Sequence, residues 1–320
     1  MTSNAVSVIL PVLNEEDYLV HSVESILKQK FDGQIEVLLA IGPSIDRTME
    51  IARELARNDS RIKIIENPTG RTAAGLNLAI KGSIYPVIVR VDGHSNIPEN
   101  YIEIALQLLE RTGAVNVGGL MAAEGRTPFE RAVAGAMRSP LGVGVAKFHT
   151  GGEAGEVDTV YLGVFKREAL IAVGGFDEHF TRAQDWELNY RLRKNGGKIY
   201  FDPRLTVTYR PRRSLQALAK QYFEYGRWRR VVSRTHKGTV NPRYLAPPTT
   251  LVGVIASIIL GFFHPIFFLP ALVYFLFLIL SGFMIGKSFK EVLYLPVILA
   301  TLQMSWGAGF ITSPKRLANS

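Results

Sequence analysis

The sequence contains no cysteine among its 320 residues. This absence excludes disulfide bonds, thiolate nucleophiles and metal sites built from thiolates. Charge is missing from one long segment, because no Asp, Glu, Lys or Arg occurs within residues 244–286. Such a run is too long for one membrane-spanning helix of about 20 residues and suits two. We therefore expect a soluble N-terminal part followed by a membrane domain.

Glycine-rich phosphate-binding loops are also missing. The sequence has no G-x-x-x-x-G-K-[ST] loop and no G-x-G-x-x-G turn after its first predicted strand. A bound nucleoside diphosphate would need positive charge from another source, and a divalent cation would supply it. The first residues, MTSNAVSVILPVLNEE, run directly into a predicted strand and show no signal peptide. We expect the soluble part to stay in the cytoplasm.

The membrane domain contains three apolar segments, at about residues 249–263, 266–285 and 292–311. His264 and Pro265 interrupt the uncharged run between the first two segments. Because the first segment is short for a span, two or three crossings are possible. The alternative is that these segments are buried helices of a soluble protein.

Basic residues concentrate just before the first apolar segment, and the formal net charge is +9 at pH 7. This position favours anionic lipid head groups and a cytoplasmic side for the flanking segment, and we expect no nucleic-acid partner. The basic residues are Arg204, Arg210, Arg212, Arg213, Lys220, Arg227, Arg229, Arg230, Arg234, Lys237 and Arg243.

The soluble part alternates strands and helices. Nearly continuous apolar runs (VSVILPV, IEVLLAI, RIKIIE and YPVIVRVD) are separated by segments with helical spacing of apolar residues. This alternation predicts an α/β fold with a mostly parallel sheet that is flanked by helices on both faces. Ligands bind such sheets beyond the carboxyl ends of the strands.

Each of these four strands is followed by polar groups. They are Asn14 and Glu15, then Ser44 and Asp46, then Thr69 to Arg71, then Asp92 and His94. Each group alone has a local explanation as a helix cap or turn. Together they predict a binding site on one rim. A cation at the start of a helix is unfavourable for the helix dipole, so Arg71 indicates an anion opposite it.

Asp92-Gly93-His94 is the candidate metal site. Carboxylate oxygens suit magnesium and manganese, and an imidazole nitrogen suits manganese better than magnesium. The alternative is a strand that ends in a turn, with His94 hydrogen-bonded locally.

The order of motifs resembles the family 2 glycosyltransferases, inverting enzymes of the GT-A fold that use nucleotide sugars. The resemblance covers about residues 6–234. It rests on VSVILPVLNEE, IGPSIDRTMEIA, NPTGRTAAGLNLAI, VRVDGHS in place of the family's D-x-D, and QDWELNYRLRKNGGKIYFDP. The D-x-H form, GGFDEHF and QYFEYGRWRR are most similar to the bacterial exopolysaccharide branch, which includes succinoglycan-type glucosyltransferases.

The resemblance implies a set of donor-binding residues and a divalent cation, Mn or Mg, held by Asp92 and His94. Asp46 would contact the uracil and ribose of a UDP-sugar together with Leu13 and Glu15. The full implied nucleotide-sugar set is Pro11, Leu13, Glu15, Asp46, Arg71, Asn77 and Asp92.

The same resemblance places Asp185 at the position of the catalytic base. Gln184 stands where the family commonly has glutamate, so no adjacent carboxylate in the sequence raises the pKa of Asp185, and its basicity has to come from burial or from the substrate. The alternatives are that Asp185 caps a helix or that Glu187 is the base. Asp158, at the start of a predicted strand, is expected to face the acceptor.

QYFEYGRWRR is similar to the Q-x-x-R-W motif of processive polysaccharide synthases, but its spacing differs and we infer no processivity. Gln221, Arg227 and Trp228 are nevertheless candidates on the acceptor and membrane side. The segment is typical of an amphipathic helix at a membrane surface. A purely structural helix under the sheet is the alternative.

We therefore expect a GT-A domain at residues 1–210, a basic amphipathic juxtamembrane region at 211–243 and a membrane domain at 244–320. The predicted protein is a multi-pass enzyme of the cytoplasmic membrane with its catalytic domain in the cytoplasm. It would transfer a hexose from a nucleotide sugar to a polyprenyl-linked glycan. The alternatives are a polyprenyl-phosphate sugar synthase and a non-catalytic nucleotide-sugar-binding membrane scaffold.

Overall fold

The computed structural model describes residues 4–318 and divides into two compact units. The first unit contains the chain up to residue 122 and residues 151–209, and the second contains residues 123–150 and the chain from residue 210 onward. The domain boundaries expected from the sequence, at residues 210 and 243, stay predictions. The structure differs in grouping residues 123–150 with the C-terminal helices.

An eight-stranded sheet, in the order β3-β2-β1-β4-β8-β5-β9-β7, forms the centre of the first unit. β1 pairs in parallel with β2 and β4, β2 pairs in parallel with β3, and β8 is antiparallel to β4 and β5. The predicted, mostly parallel sheet is therefore confirmed. The eight strands of this sheet are β1 (Ala5–Val12), β2 (Gln34–Ile41), β3 (Ile62–Glu66), β4 (Val87–Arg90), β5 (Asn116–Gly119), β7 (Gly155–Glu156), β8 (Tyr161–Lys166) and β9 (Ile199–Phe201). Two further strands, β6 (Met121–Ala123) and β10 (Val207–Tyr209), form a separate two-stranded sheet.

Helices cover both faces of this sheet. Along β1, Val8 and Leu10 belong to one buried apolar cluster and Ile9 to another, because successive side chains of a strand point to opposite faces. Strands buried on both sides read as continuous apolar runs, which explains the sequence pattern. The helices of the first unit are α1 (Leu19–Leu27), α2 (Thr48–Asn58), α3 (Thr72–Gly82), α4 (Tyr101–Thr112), α8 (Arg167–Ala172) and α9 (Gln184–Lys194).

The second unit is helical. Its longest amphipathic helix, α10 (Leu215–Thr235), begins after Ser214, whose side chain accepts a hydrogen bond from the backbone N–H of Ala217. The other helices are α5 (Pro128–Met137), α6 (Pro140–Val143), α7 (Lys147–Thr150), α11 (Pro242–Gly261), α12 (Leu269–Ile285) and α13 (Phe289–Thr312), with 3-10 turns at Pro265–Phe268 and Lys315–Ala318.

Three segments of the second unit are long and apolar enough to cross a membrane: Pro242–Gly261, Pro265–Ile285 and Phe289–Thr312. They coincide with the three apolar segments of the sequence. Their surfaces remain largely exposed, and the large apolar side chains of Phe262, Phe263 and Met284 are 82 %, 82 % and 76 % exposed. Large continuous apolar surfaces of this kind suit a lipid environment.

Candidate active site

The polar groups predicted after the first four strands do lie at one edge of the sheet in the first unit. β1, β2, β3 and β4 are parallel neighbours, so their carboxyl ends point the same way. The loop after β1 is joined to the loop after β2, because the backbone N–H of Asn14 donates to Ser44 Oγ at 3.1 Å and that of Ile45 donates to Asn14 Oδ1 at 2.9 Å. Asn14 adopts a left-handed conformation, with φ of 56°, which asparagine tolerates better than most residues.

Arg90 joins Asp92 to Asp185. It is the last residue of β4 and is 5 % exposed. One guanidinium nitrogen donates to Asp92 Oδ1 at 3.2 Å, and another donates to Asp185 Oδ1. Planar arginine can contact two carboxylates at once. The structure thus brings the predicted donor-side aspartate and the predicted base into one buried charge cluster.

The charges in this cluster shift each other's pKa. Burial raises the pKa of Asp185 above its ordinary value, the charge of Asp92 raises it further, and the positive charge of Arg90 works in the opposite direction. Burial opposes the charge on Arg90, but the two carboxylates outweigh it and raise the pKa of the guanidinium. Burial thus makes the largest contribution to the raised pKa of Asp185. Asp92 is a nearby carboxylate that the sequence around Asp185 did not indicate.

The position of Asp185 distinguishes it from a helix cap. α9 begins at Gln184, and the residue before it, Ala183, is the N-cap, with φ of 63° and no side-chain hydrogen bond. Asp185 lies inside the first turn and accepts a hydrogen bond from the backbone of Leu162. The alternative that Asp185 caps α9 is therefore wrong.

Glu187, the alternative base, is engaged elsewhere. It is 1 % exposed, and both of its carboxylate oxygens accept hydrogen bonds from Arg191 at 2.7 Å. Arg191 also donates to the carbonyl of Val173 at 2.6 Å. A buried carboxylate in a two-bond arginine pair is held as a structural ion pair, so Asp185 is the better candidate of the two.

His94 is hydrogen-bonded to Glu15 from the loop after β1. The distance from its Nδ1 to Glu15 Oε1 is 2.7 Å. Donation from Nδ1 to a carboxylate selects the tautomer in which Nε2 is the basic nitrogen, and metal-binding histidines are commonly oriented in this way. Gly93 permits this approach, because a Cβ there would lie 3.1 Å from the Glu15 side chain.

Asp92 and His94 fit a divalent cation, with a nucleotide to complete its coordination. Among residues 4–318, no group of three or more histidine and carboxylate side chains is arranged to hold a metal by itself. Magnesium and manganese are often bound by one or two protein groups together with substrate phosphates. One carboxylate and one histidine oriented by Glu15 match that pattern.

Asp46 organises the neighbouring loop. Its carboxylate accepts hydrogen bonds from the backbone N–H of Glu16 at 3.2 Å and of Thr48 at 3.0 Å. Desolvation raises its pKa, but the hydrogen bonds from Thr48 and Glu16 outweigh it, and the pKa of Asp46 lies below its ordinary value. Thr48 Oγ1 also accepts from the backbone of Glu15 at 2.7 Å, which ties the loops after β1 and β2 together.

The remaining predicted donor-side residues surround these loops. Leu13 is 42 % exposed, and its side chain lies against Gly42 and Gly70. Pro11 precedes it in β1. Arg71 immediately precedes α3, its side chain is exposed, and no ion-pair partner for it occurs within the described part of the chain.

Asn77 holds a different segment. Its amide accepts from the backbone N–H of Phe176 and donates to the carbonyl of the same residue, both at 2.8 Å, and it also donates to Glu178. The Phe176 ring lies 5.6 Å from the guanidinium carbon of Arg90. Asn77 is therefore connected to the charge cluster through Phe176.

The acceptor-side candidates are divided between the two units. In the first unit, Asp158 is exposed and its carbonyl accepts from Arg193, while Gln184 opens α9. In the second unit, Gln221, Arg227 and Trp228 all lie on α10. Gln221 and Trp228 are buried, and Gln221 donates to Tyr225 at 2.8 Å. The structure does not bring these five residues together within one unit.

Sequence reasoning missed Arg90, Phe176 and Tyr161. Arg90 had a signal, because it is a charged residue in an otherwise apolar, buried strand. Buried charges require partners, and the two aspartates supply them. Burial and the charge of Asp92 hold the pKa of Tyr161 well above its ordinary value, so this phenol stays neutral beside the cluster.

Comparison with known proteins identifies the family of the chain. The model of the family described as Glycosyl transferase family 2 matches residues 7–174. The chain is 34 % identical over 251 residues to the succinoglycan biosynthesis protein ExoA of Rhizobium meliloti (strain 1021). The aligned region covers 77 % of this chain and 76 % of that protein. It is 26 % identical over 282 residues to the dolichyl N-acetyl-alpha-D-glucosaminyl phosphate 3-beta-D-2,3-diacetamido-2,3-dideoxy-beta-D-glucuronosyltransferase of Methanococcus voltae, covering 84 % of this chain and 86 % of that protein.

Solved structures show the same fold. The mannosyltransferase PcManGT from Pyrobaculum calidifontis, in complex with GDP-Man and Mn2+, has a TM-score of 0.59 and 18 % identity over 96 % of this chain and 86 % of that one. S. aureus TarS 1-349 in complex with UDP-GlcNAc has a TM-score of 0.54 and 19 % identity over 74 % of this chain and 68 % of that one.

Proposed function

Because the chain belongs to glycosyl transferase family 2, we propose that this glycosyltransferase moves a hexose, with inversion, from a UDP-sugar to a polyprenyl-linked glycan in polysaccharide biosynthesis. The observation that supports this most directly is the pairing of Arg90 with both Asp92 and Asp185. Inverting transfer needs a base beside the acceptor hydroxyl and stabilisation of the departing diphosphate on the donor side. One cluster that joins a donor-side carboxylate to a base meets both needs.

Asp185 is the catalytic base in this proposal. It takes the proton of the acceptor hydroxyl as that oxygen bonds to the anomeric carbon, while the bond from that carbon to the UDP oxygen breaks. The raised pKa of Asp185 makes it a stronger base than an exposed aspartate. Arg90 orients the carboxylate, and its positive charge lowers the pKa of Asp185 against the effects of burial and of Asp92.

The donor would lie on the rim formed by the loops after the parallel strands. Asp46, Glu15 and Leu13 would meet the nucleoside, and Arg71 would meet the diphosphate because its guanidinium is exposed at the start of α3. Pro11 would support Leu13, and Asn77 would act through Phe176. A divalent cation, Mn or Mg, held by Asp92 and His94 would neutralise charge on the departing diphosphate.

The acceptor side and the cellular location are also proposed. We assign residues 1–210 to the GT-A domain, 211–243 to a basic juxtamembrane region and 244–320 to the membrane domain of an enzyme whose catalytic domain is cytoplasmic. Asp158 and Gln184 would meet the acceptor sugar, and Gln221, Arg227 and Trp228 would belong to the membrane side. The basic and apolar composition of the C-terminal part supports an acceptor at the bilayer surface. The Methanococcus voltae relative is named for a dolichyl phosphate-linked substrate, which is consistent with a lipid-linked acceptor here.

The experiment that tests this proposal supplies purified protein with UDP-hexoses, Mn2+ and polyprenyl-diphosphate-linked oligosaccharides. We expect one UDP-hexose to extend the glycan, and mild acid to release the lengthened oligosaccharide. Release of a single sugar from polyprenyl phosphate would instead identify a polyprenyl-phosphate sugar synthase. Binding of sugar nucleotides without hydrolysis or transfer would contradict catalysis and favour a non-catalytic binding scaffold.

A further inference from the structure

We propose that the third apolar helix, α13, does not cross the bilayer but lies along the membrane surface beside α10, so that both of its ends are on the side where α10 lies. α13 has 24 residues and a composition apolar enough to cross a membrane. Its neighbours within the second unit indicate the in-plane orientation. The inference concerns topology and does not depend on the proposed donor or acceptor.

The first step is that α10 cannot cross the hydrocarbon core. Charged residues are rare at the bilayer centre unless they line a polar cavity or mutually pair. α10 carries charge through the middle and the end of its length, and its single carboxylate, Glu224, pairs with Arg227 at 3.1 Å. The charged residues are Lys220, Glu224, Arg227, Arg229, Arg230 and Arg234. The helix therefore lies in the interface or outside it.

The second step is that the ends of α10 and α13 coincide at one side. Arg234, in the last turn of α10, donates to the carbonyl of Ser313, directly after α13, at 3.0 Å. Ser313 Oγ donates to the carbonyl of Arg227 at 3.0 Å. One turn earlier, the guanidinium of Arg230 lies 5.0 Å from the centre of the Phe310 ring.

The third step is that the two helices touch through their backbones. A Cβ on Gly226 would overlap the carbonyl of Trp306, and a Cβ on Gly309 would overlap the carbonyl of Phe223. Glycines on both helices thus permit direct backbone approach. Contacts from Gly226 with Trp306 to Arg234 with Ser313 advance along both chains in the same direction, so the helices run side by side.

The fourth step concerns the beginnings of both helices. Arg213, just before α10, lies 3.6 Å from Glu130 of α5. The next residue of α5, Arg131, donates to Glu291 in the first turn of α13 at 3.0 Å. Glu291 also accepts from the backbone N–H of Lys287 at 3.0 Å and is 6 % exposed. The start of α10 and the start of α13 are therefore held near each other by α5.

The length of this alignment rules out different orientations for the two helices. At 1.5 Å per residue, α10 extends about 31 Å and α13 about 36 Å, both near the roughly 30 Å thickness of the hydrocarbon core. If α13 crossed the core, the parallel α10 would carry its charges across as well.

The distribution of cations gives an independent indication. Lys287 precedes α13 and Lys290 lies in its first turn, while Lys315 and Arg316 follow it. Loops that carry Lys and Arg next to apolar helices remain on the cytoplasmic side, so both ends of α13 belong there. The connection at residues 262–268, between α11 and α12, has no charged residue. The α11–α12 hairpin alone therefore enters the bilayer and returns.

The exposed side of α13 suits the acyl chains of one leaflet. Leu293, Tyr294 and Val297 are 59 %, 43 % and 53 % exposed. Helices that lie in the interface bury such side chains to a depth of about 5–10 Å.

Cysteine labelling tests the proposal directly, because the natural chain contains no cysteine. Single-cysteine variants Lys290→Cys, Lys315→Cys and Ser320→Cys are treated with a membrane-impermeant maleimide in right-side-out and inverted membrane vesicles. Thr235→Cys, at the end of α10, serves as the reference. We expect all four to react from the same side, with at least tenfold preference. Labelling of Lys315→Cys and Ser320→Cys from the side opposite to Thr235→Cys would overturn the proposal. Ser320→Cys retains both terminal cations, so a flip caused by losing Lys315 is recognised.

A depth measurement provides the second readout and needs no sidedness. Nitroxides are attached at Leu293→Cys, Val297→Cys and Ile311→Cys in nanodiscs, and their collision with oxygen and with a nickel chelate is compared. Leu293 and Ile311 are separated by about 27 Å along the helix axis. An in-plane helix keeps similar depths at all three positions. A depth clearly greater at Val297, the label nearest the middle of α13, than at Leu293 and Ile311 would identify a crossing helix and overturn the proposal.

Discussion

The loop after β2 and the first turn of α9 each carry an aspartate in the first unit, and the pKa values of the two residues shift in opposite directions. Backbone N–H groups and Thr48 hold Asp46, so its pKa is lowered despite the opposing effect of desolvation. Burial and the charge of Asp92 act on Asp185, so its pKa is raised although Arg90 opposes them. Hydrogen bonds from neutral donors lower the pKa of a carboxylate and make it a weaker base. Burial beside another carboxylate raises its pKa and makes it a stronger base.

This difference assigns the two aspartates to different roles. Asp46 joins the backbones of two loops, on the part of the rim where we propose that the nucleoside binds. Asp185 is about a quarter exposed at its side chain and is oriented by its bond to Arg90, which suits the proposed approach of an acceptor hydroxyl. Residue type alone does not separate these roles, since both are aspartates in the first unit.

The largest expected effect comes from Asp185→Asn. The amide cannot accept the proton of the acceptor hydroxyl, and loss of a general base lowers the rate by about 10²–10⁴-fold. We expect kcat for glycan extension to fall by this factor while UDP-sugar binding, measured by calorimetry, changes little. Asp32→Asn, on the exposed surface, is the matched control and should retain full activity. Loss of donor binding in Asp185→Asn would instead place this carboxylate on the donor side.

Arg90→Lys should have the second largest effect. Lysine keeps the charge but cannot bridge two carboxylates in a fixed plane. Because a lost hydrogen bond to a charged group corresponds to a factor of about 10–100, we expect kcat to fall by about 10–100-fold. The positive charge of Arg90 lowers the pKa of Asp185. Because lysine would contact Asp185 more weakly, we expect the pKa of Asp185 to rise and the acidic limb of the pH profile of kcat to move to higher pH. A fall in activity without movement of that limb would indicate a purely structural role.

Arg193→Lys is a suitable control for the arginine replacement. Arg193 is half-buried, and its side chain donates to the carbonyl of Asp158 rather than to Asp92 or Asp185. Its replacement should leave the pH profile unchanged. The melting temperature of both variants is measured in parallel, since leaving buried carboxylates poorly paired also destabilises a fold.

The sequence predicted the sheet and the rim well, because β-branched apolar runs and the polar residues after them are local features. It did not predict the Arg90 cluster, since Arg90 and Asp185 are 95 positions apart and meet only because β8 inserts antiparallel between β4 and β5. The bond between Asn77 and Phe176 spans 99 positions and escaped prediction for the same reason. Glu15 and His94, 79 positions apart, were predicted separately, and their contact was not.

Glu15→Gln tests whether His94 serves a cation. Glutamine can still accept a hydrogen bond but lacks the charge that makes the imidazole more basic, and loss of such a partner lowers metal affinity by about 10-fold or more. We expect weaker Mn2+ binding in the presence of UDP, followed by electron paramagnetic resonance, with little change in UDP binding alone. Glu24→Gln, whose carboxylate pairs with Lys28 on the surface of α1, is the control. Unchanged Mn2+ affinity would contradict the assignment of His94 as a metal ligand.

Asp46→Asn should have the smallest effect and returns to the difference between the two aspartates. An amide in this position presents only one acceptor oxygen to the two backbone N–H groups, so we expect donor Kd to rise about fivefold while kcat is retained.

The opposite pKa shifts also predict an order of events on acidification. The lowered pKa of Asp46 means that the stability it contributes is present above the ordinary aspartate pKa and is lost as the pH falls from there through the lowered pKa. The raised pKa of Asp185 means that it becomes protonated first, so transfer should fall at a pH where UDP-sugar binding persists. Calorimetry and transfer assays over the same pH series check this order, and a simultaneous loss of binding and transfer would show that the two carboxylates are not independent.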